Sequence, residues 1–214
     1  MIAPLLACDR SEKIAPPARP SITPARAGQG ELFELTRLDP SIRLDIRYAT
    51  ANNFTGRTLY DQPRAFLVQP AAKALARAHK AAAAEGYGLT IFDAYRPWRI
   101  TKALWDATPP GQQRNYVANP KKGSKHNRGC AVDLSLHRLD TGALVDMPSG
   151  YDEFTERAHR NFMAASPEAI ANRARLERWM EAEGFRGISN EWWHFDFAGW
   201  EGFPILDIAF EEIG

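Results

Sequence analysis

The chain has 214 residues, of which 44% are apolar and 25% charged, and 27 basic side chains balance 26 acidic ones to leave a formal charge of +1. This length and composition predict one globular domain with a sizeable core. No apolar run reaches the roughly 18 residues that cross a bilayer, which argues against a transmembrane segment. The scattered Lys and Arg argue against nucleic-acid binding. We therefore expect a ligand that is small or neutral overall.

The N-terminal 30 residues differ from the rest in composition, because they contain five prolines among Ala, Arg and Ser. Such a stretch neither packs nor repeats a helical period, so we predict a tail or linker over 1–30 and a folded domain over 31–214. Within the tail, Leu5-Leu6-Ala7-Cys8 resembles the end of a bacterial lipoprotein signal, with only seven residues before the cysteine. This resemblance favours a periplasmic or cell-envelope location slightly over the cytoplasm.

The first predicted elements are a strand, a helix and a second strand. Apolar and charged side chains alternate over 42–48, which predicts a strand. Pro70 and Gly86 bracket an Ala-rich stretch, and since Pro favours the first helical turn and Gly follows the last, we predict a helix over 70–85. The short apolar run over 89–93 predicts a central strand.

The next elements lead into the most informative motif of the chain. A helix is predicted over 98–106 and ends before Pro109, Pro110 and Gly111, and a polar loop follows over 111–125. Residues 131–139 alternate in part, which predicts a strand with Asp133 on the face opposite its apolar stripe.

The last elements complete the predicted architecture. Ser166 caps a helix that runs to Glu183 and stops at Gly184. Residues 192–197 form a final strand. The order of elements predicts an α+β domain in which helices flank a small antiparallel or mixed sheet.

Two segments carry the residues of a catalytic zinc site, namely Ser124 to Asp133 and Glu191 to His194. Two neutral imidazoles and one carboxylate occupy three corners of a tetrahedral zinc site and leave the fourth for water. We therefore predict one Zn²⁺ per chain, bound by His126, Asp133 and His194.

Glu191 and Arg96 are the predicted catalytic side chains. Glu191 stands three residues before His194, close enough to act as general base and then as proton donor. Positions three apart in a regular strand point to opposite faces, so we expect Glu191 on a bend or bulge before the strand proper. Arg96 offers several donors to a developing oxyanion, although a surface salt bridge explains it equally well.

Other residues of the same types have structural explanations. Cys8 and Cys130 do not predict a disulfide framework. Cys130 is a zinc-ligand candidate, but free Cys is usually a small buried hydrophobe, which we favour. Structural or surface roles are expected for His79, His137 and His159, and packing roles in the core and the site wall for Trp192 and Trp193.

The pattern Ser-x-His-x-x-Gly-x-Ala-x-Asp followed by Glu-x-x-His resembles the zinc peptidases of family M15, which cleave peptidoglycan-type D-amino acid bonds. Further segments match the VanX-like D-alanyl-D-alanine dipeptidase branch: Tyr48-Ala49-Thr50, Asn53 to Arg57, Asp93-Ala94-Tyr95-Arg96-Pro97, Met147 to Asp152 and Glu191-Trp192-Trp193-His194. The resemblance covers about residues 40 to 197 and implies a hedgehog/D,D-peptidase-like fold.

The resemblance also implies site roles. It places zinc at His126, Asp133 and His194, gives acid–base catalysis to Glu191 and gives transition-state stabilisation to Arg96. It further implies that Tyr48 and Asp152 lie near the ammonium of a dipeptide and Ser124 near its carboxylate. A buried ammonium must be paired, which suits Asp152, whereas Tyr48 and Ser124 also fit supporting hydrogen-bond roles. The loop before His126 is shorter than in the resistance enzymes of the family, and Cys130 stands where Ser or Ala is more frequent.

These observations predict a zinc-dependent peptidase that hydrolyses D-Ala-D-Ala to two D-alanines, in cell-wall metabolism or D-alanine salvage. One alternative is a D,D-carboxypeptidase or endopeptidase acting on longer peptidoglycan peptides. A second is a zinc-stabilised binding domain without catalysis, which would need neither Glu191 nor Arg96.

Overall fold

The computed structural model describes residues 30–111 and 116–213. The predicted tail, including Cys8, lies outside the described residues apart from Gly30, and so does part of the loop predicted over 111–125. Within the described ranges, no helix combines the length and the apolar character needed to cross a bilayer.

The strands and helices are joined by connections of unequal length, among them a long one over residues 139–166. The strands are β1 (Leu32–Glu34), β2 (Arg43–Leu44), β3 (Phe66–Val68), β4 (Tyr87–Asp93), β5 (Ala131–Arg138), β6 (Phe185–Ile188) and β7 (Glu191–Phe197). The α-helices are α1 (Leu35–Leu38), α2 (Gln69–Ala84), α3 (Trp98–Ala107) and α4 (Pro167–Ala182).

The main sheet has the strand order β2-β4-β5-β7-β6, with β2 and β4 parallel and the other neighbours antiparallel. β1 and β3 form a separate two-stranded antiparallel sheet. Helices α2 and α4 contact each other, and they pack on β4 and on β6 respectively. The predicted α+β domain with a mixed sheet and flanking helices is confirmed.

The long helices end where the sequence predicts. Pro70 lies in the first turn of α2, and Gly86 follows its end with φ +86°, a left-handed conformation that favours glycine. The Ser166 side chain accepts a hydrogen bond from the Ala169 N–H and so caps α4. Leu176, Trp179 and Met180 of α4 are buried, as expected for its core-facing side.

The strand predicted over 42–48 is wrong for most of its length. Only Arg43 and Leu44 pair with β4, and Arg47–Ala49 form a 3₁₀ turn. The Asn53 side chain ties this turn down by donating to the carbonyls of Arg47 and Thr50. The N–H groups of Leu59 and Tyr60 both donate to the Tyr48 carbonyl. Tertiary contacts therefore override the local alternation and bury the Tyr48 side chain beside the cleft described below.

Candidate active site

The register of the sheet places three polar residues side by side on neighbouring strands. Asp93 of β4 pairs with Asp133 of β5, and Asp133 pairs with His194 of β7. Directly paired residues of antiparallel strands project to the same face of a sheet. Asp93, Asp133 and His194 therefore form one row on the sheet, and all three are buried. Asp133 and His194 line a cleft.

His126 reaches the same place from the 3₁₀ turn His126–Arg128 that precedes β5. Its Nδ1 lies 2.7 Å from the Ala94 carbonyl, which can only accept, so Nδ1 carries the proton. His194 has the opposite arrangement, because its Nε2 lies 2.8 Å from an Asp196 carboxylate oxygen. These partners leave His126 Nε2 and His194 Nδ1 facing each other and Asp133, so that these are the two ring nitrogens able to ligate a metal when both imidazoles are neutral.

The three atoms that could ligate a metal, one from each of these side chains, have the spacing of a zinc site. His126 Nε2 lies 3.2 Å from His194 Nδ1, and Asp133 Oδ1 lies 3.0 Å from His194 Nδ1 and 3.4 Å from His126 Nε2. Tetrahedral zinc with bonds of about 2.0 to 2.1 Å separates its ligands by about 3.3 Å. His126, Asp133 and His194 thus fit a zinc ion in both donor type and distance.

The surroundings favour a protonated His194 beside an ionised Asp133. Burial disfavours charge on His194, but the hydrogen bonds to Asp133 and Asp196 outweigh it and raise its pKa to about 10. Tyr151 donates to Asp133 Oδ2 at 3.1 Å, which leaves Oδ1 directed at the two imidazoles. A metal ion must therefore displace a proton from His194 when it binds.

Glu191 lies beside the ligand cluster, with its carboxylate 3.9 Å from His194 Nδ1. Burial raises its pKa to about 7, so that it exchanges protons near neutrality, as a general base requires. Contrary to the prediction, Glu191 begins β7 itself instead of preceding it. The expected irregularity lies in the pairing of β6 with β7, whose register shifts between Gly187 and Ile188.

Arg96 follows β4 and is 7% exposed. Its Nε and Nη2 donate to Asp93 Oδ2 at 2.9 and 2.6 Å, and Nη2 lies 3.8 Å from Asp133. The other Asp93 oxygen accepts from the Tyr60 hydroxyl at 2.7 Å. The surface salt bridge considered above is therefore wrong, since Arg96 is buried beside the ligand cluster.

Tyr48 and Asp152 meet on another wall of the cleft. The Tyr48 hydroxyl donates to Asp152 Oδ2 at 3.0 Å. Asp152 has φ +56°, the left-handed region that L residues seldom adopt. Burial and the charge of Asp133 raise the pKa of Asp152 well above its usual value. A carboxyl group in this setting gains stabilisation from a bound cation.

Ser124 is buried at the entrance to the 3₁₀ turn that carries His126. Its hydroxyl accepts a hydrogen bond from the His126 N–H at 3.2 Å, and its own N–H donates to Asn127 Oδ1. Asn127 in turn donates to the Arg96 carbonyl. Ser124 thus supports the turn while its side chain also lines the cleft.

All eight residues singled out for site roles line a single cavity of about 470 Å³. Ligand cavities for small molecules have this size. Part of the wall is aromatic: Phe154 lies 5.0 Å from Phe54 and 4.6 Å from Tyr116 between ring centroids, and the Tyr116 pair is stacked. These three rings form what we call the aromatic wall.

The structural roles expected for Cys130, His79, His137, Trp192 and Trp193 agree with their positions in the structure. Cys130 is free, fully buried and outside the ligand cluster. His79 and His137 are buried and bonded to Ser41 and Thr90. Trp192 packs in the core, and Trp193 both packs there and lines the cavity.

Sequence reasoning missed three supporting residues. Asp93 holds Arg96, Asp196 holds His194, and Tyr151 holds Asp133. Asp93 stands three residues before Arg96 and Asp196 two after His194, but such spacings are too common to identify partners. Their contacts depend on how the strands pair.

Comparison with known proteins agrees with this geometry. A family model described as D-ala-D-ala dipeptidase, peptidase M15, matches residues 29–207. A D-alanyl-D-alanine dipeptidase of Escherichia coli (strain K12) is 40% identical over 176 residues, which are 82% of this chain and 89% of the relative. One from Enterococcus faecium is 38% identical over 72% of this chain and 85% of the relative. One from Enterococcus faecalis is 36% identical over 78% and 90%. The chain therefore belongs to the D-Ala-D-Ala dipeptidase family of metallopeptidases.

Proposed function

We propose that this protein hydrolyses the dipeptide D-Ala-D-Ala to two D-alanines with one zinc ion held by His126, Asp133 and His194. The observation that carries the proposal is the presence, in one cavity, of this ligand cluster, the Glu191 carboxylate, the Arg96 guanidinium and the Asp152 carboxylate. A binding domain would need the cluster alone.

The residues around the cluster divide the chemistry among them. When bound, zinc would supply Lewis acidity that acidifies water and polarises a carbonyl group. Glu191 accepts a proton at its carboxylate from the attacking water and returns it to the leaving nitrogen. Arg96 donates to the oxygen that becomes negative, because its bonds to Asp93 use only part of its five N–H donors.

The other wall of the cleft suits the ammonium group of a short peptide. Asp152 is a half-buried carboxyl group whose raised pKa means that its ionised form is favoured by a positive partner, and Tyr48 orients it. Phe154 stands two residues beyond Asp152, and the aromatic wall brings it together with Phe54 and Tyr116 from two other segments of the cavity lining. We expect this wall to disfavour longer peptides, which supports the free dipeptide as substrate.

The test measures release of D-alanine from D-Ala-D-Ala and from a pentapeptide that ends in D-Ala-D-Ala. Each substrate is tested with zinc and after chelation. We expect faster cleavage of the dipeptide, loss of activity on chelation and recovery with zinc. Activity on the pentapeptide alone would assign the enzyme to the trimming of wall peptides, and inactivity on both would leave a binding domain.

We also propose a location in the cell envelope, supported by the lipoprotein-like segment that ends at Cys8. Metabolic labelling with a fatty acid tests it. We expect label in the wild-type protein and none after Cys8→Ser, and an unlabelled wild-type protein would contradict the idea.

A further inference from the structure

The pairing between β6 and β7 leaves a gap next to the proposed catalytic residues. Gly187 pairs with Phe195 and Ile188 pairs with Glu191, so the register skips Trp192, Trp193 and His194. A gap of this kind interrupts the ladder of main-chain hydrogen bonds, and buried carbonyls then need other donors. The skipped residues include a predicted zinc ligand and directly follow the predicted base.

The Arg160 side chain fills this gap. Its Nη2 donates to the carbonyls of Trp192 and His194 at 3.1 and 2.8 Å, and its Nε donates to the Ile188 carbonyl at 2.9 Å. The Arg160 N–H also donates to the Ser189 carbonyl at 3.0 Å. One residue thus bonds four carbonyls on both sides of the irregular pairing.

Two further contacts hold the guanidinium in place. It lies over the Phe195 ring, 4.3 Å from the centroid, and its Nη1 is 3.3 Å from a Glu177 carboxylate oxygen of α4. Gly187 makes room for it, because a Cβ atom at that position would stand 1.9 Å from Arg160 Cζ. A side chain at 187 would therefore have to displace the Arg160 guanidinium from the gap.

We propose that Arg160 is a positioning residue that sets the placement of Glu191 and His194 for zinc binding and, on the basis of the proposed function, for hydrolysis. Arg160 is not among the residues that line the cavity, and it acts through the main chain of β7. Asp133 and His126 belong to other segments, and the guanidinium acts together with the pairing of β5 and β7 to fix where His194 stands relative to them. A single guanidinium with donors in a fixed plane suits this role better than an ammonium group.

The experiment compares full-length wild type with Arg160→Met, Arg160→Lys and Gly187→Ala. Gly187→Ala keeps the charge but displaces the guanidinium. Zinc affinity is measured by competition with a chromophoric chelator, and kcat and KM are measured on D-Ala-D-Ala. We expect Arg160→Met and Gly187→Ala to weaken zinc binding and to lower kcat by about 10- to 100-fold, the range for residues that orient metal ligands. Arg160→Lys should bind zinc more tightly and turn over faster than Arg160→Met, but should remain below the wild type in both.

KM distinguishes a loss of positioning at Glu191 and His194 from a general loss of structure at the site. Tyr48 lies in the 3₁₀ turn after β2 and Asp152 stands eight residues before Arg160, and neither is among the groups that the Arg160 side chain contacts. We therefore expect KM to stay within about threefold of the wild-type value, an allowance below 1 kcal/mol.

Arg64 supplies a matched control, because it also bonds a carboxylate (Glu34) and two carbonyls (Phe210 and Ile213) and lies over a ring (Phe66). Arg64→Met should lower thermal stability without weakening zinc binding. Gly202→Ala controls for the glycine change, since a Cβ there meets nothing within 4 Å.

The proposal is overturned if Arg160→Met binds zinc and turns over as Arg64→Met does, or, should Arg160→Met fail to fold, if Gly187→Ala behaves like Gly202→Ala. The zinc measurement needs no substrate. An inactive wild type would therefore count against the proposed function, while zinc affinity would still decide the role of Arg160.

Discussion

Removal of Asp93 should reveal how strongly this protein depends on the pairing of Arg96. Asp93 is fully buried and accepts hydrogen bonds from Arg96, from the Tyr60 hydroxyl and from the Ala94 N–H. In Asp93→Ala the guanidinium stays buried and loses its main partner. Breaking a buried ion pair from one side costs about 3 to 5 kcal/mol.

The expected loss can be followed by urea unfolding and by thermal melting. For a domain of this size, about 3 to 5 kcal/mol corresponds to a Tm lower by about 6 to 20 °C. Activity should fall as well, because Arg96 is no longer oriented. Loss of an oxyanion donor lowers kcat by about 10²- to 10³-fold. We expect a decrease of this size for Arg96→Met and a decrease no larger than this for Asp93→Ala.

A double-mutant cycle tests the reasoning directly. The double variant Asp93→Ala/Arg96→Met has no buried charge at this position, so it should be less destabilised than the sum of the single variants by about 0.5 to 3 kcal/mol. Additive free energies of unfolding, or an Asp93→Ala protein within about 1 kcal/mol of the wild type, would refute the view that Asp93 serves to neutralise and hold Arg96.

Three further predictions concern single residues. Glu191→Ala should abolish turnover and keep zinc, as measured by activity assay and metal analysis, and an active variant would contradict its role as base. His126→Ala should lose both zinc and turnover, and a variant that still binds zinc stoichiometrically would exclude His126 as a ligand. The pKa of His79 is lowered by burial, and its Nδ1 accepts from the Leu89 N–H. Below about pH 6.5, His79 binds a proton more readily in the unfolded chain than in the folded protein. The free energy of unfolding therefore decreases as the pH is lowered through this range. Unfolding of chelated wild type and His79→Gln at pH 7.5 and 5.5 should show a smaller pH dependence in the variant, and an equal dependence would refute the assignment.

Local sequence signals were sufficient for the three longest helices and for β4, β5 and β7, whereas they did not predict β1, β3 or β6. Ser166 with Pro167, and Pro70 with Gly86, mark helix ends because capping and φ preferences act within a few residues. The apolar run over 89–93 predicted the central strand β4 because a run of apolar residues is also a local signal. Local alternation failed at Tyr48, where contacts with distant residues decided the backbone conformation.

The site shows the same division. The residue types at 126, 133, 191 and 194 indicated a zinc hydrolase by themselves, because few side chains bind zinc and leave a position open. Tertiary structure alone decided which residues support them. The pairing of β4, β5 and β7 aligned Asp93, Asp133 and His194, and the shifted pairing of β6 and β7 created the gap that Arg160 fills. Ligand chemistry is a property of the residues present, whereas strand register and long-range hydrogen bonds arise only when separate segments pack together.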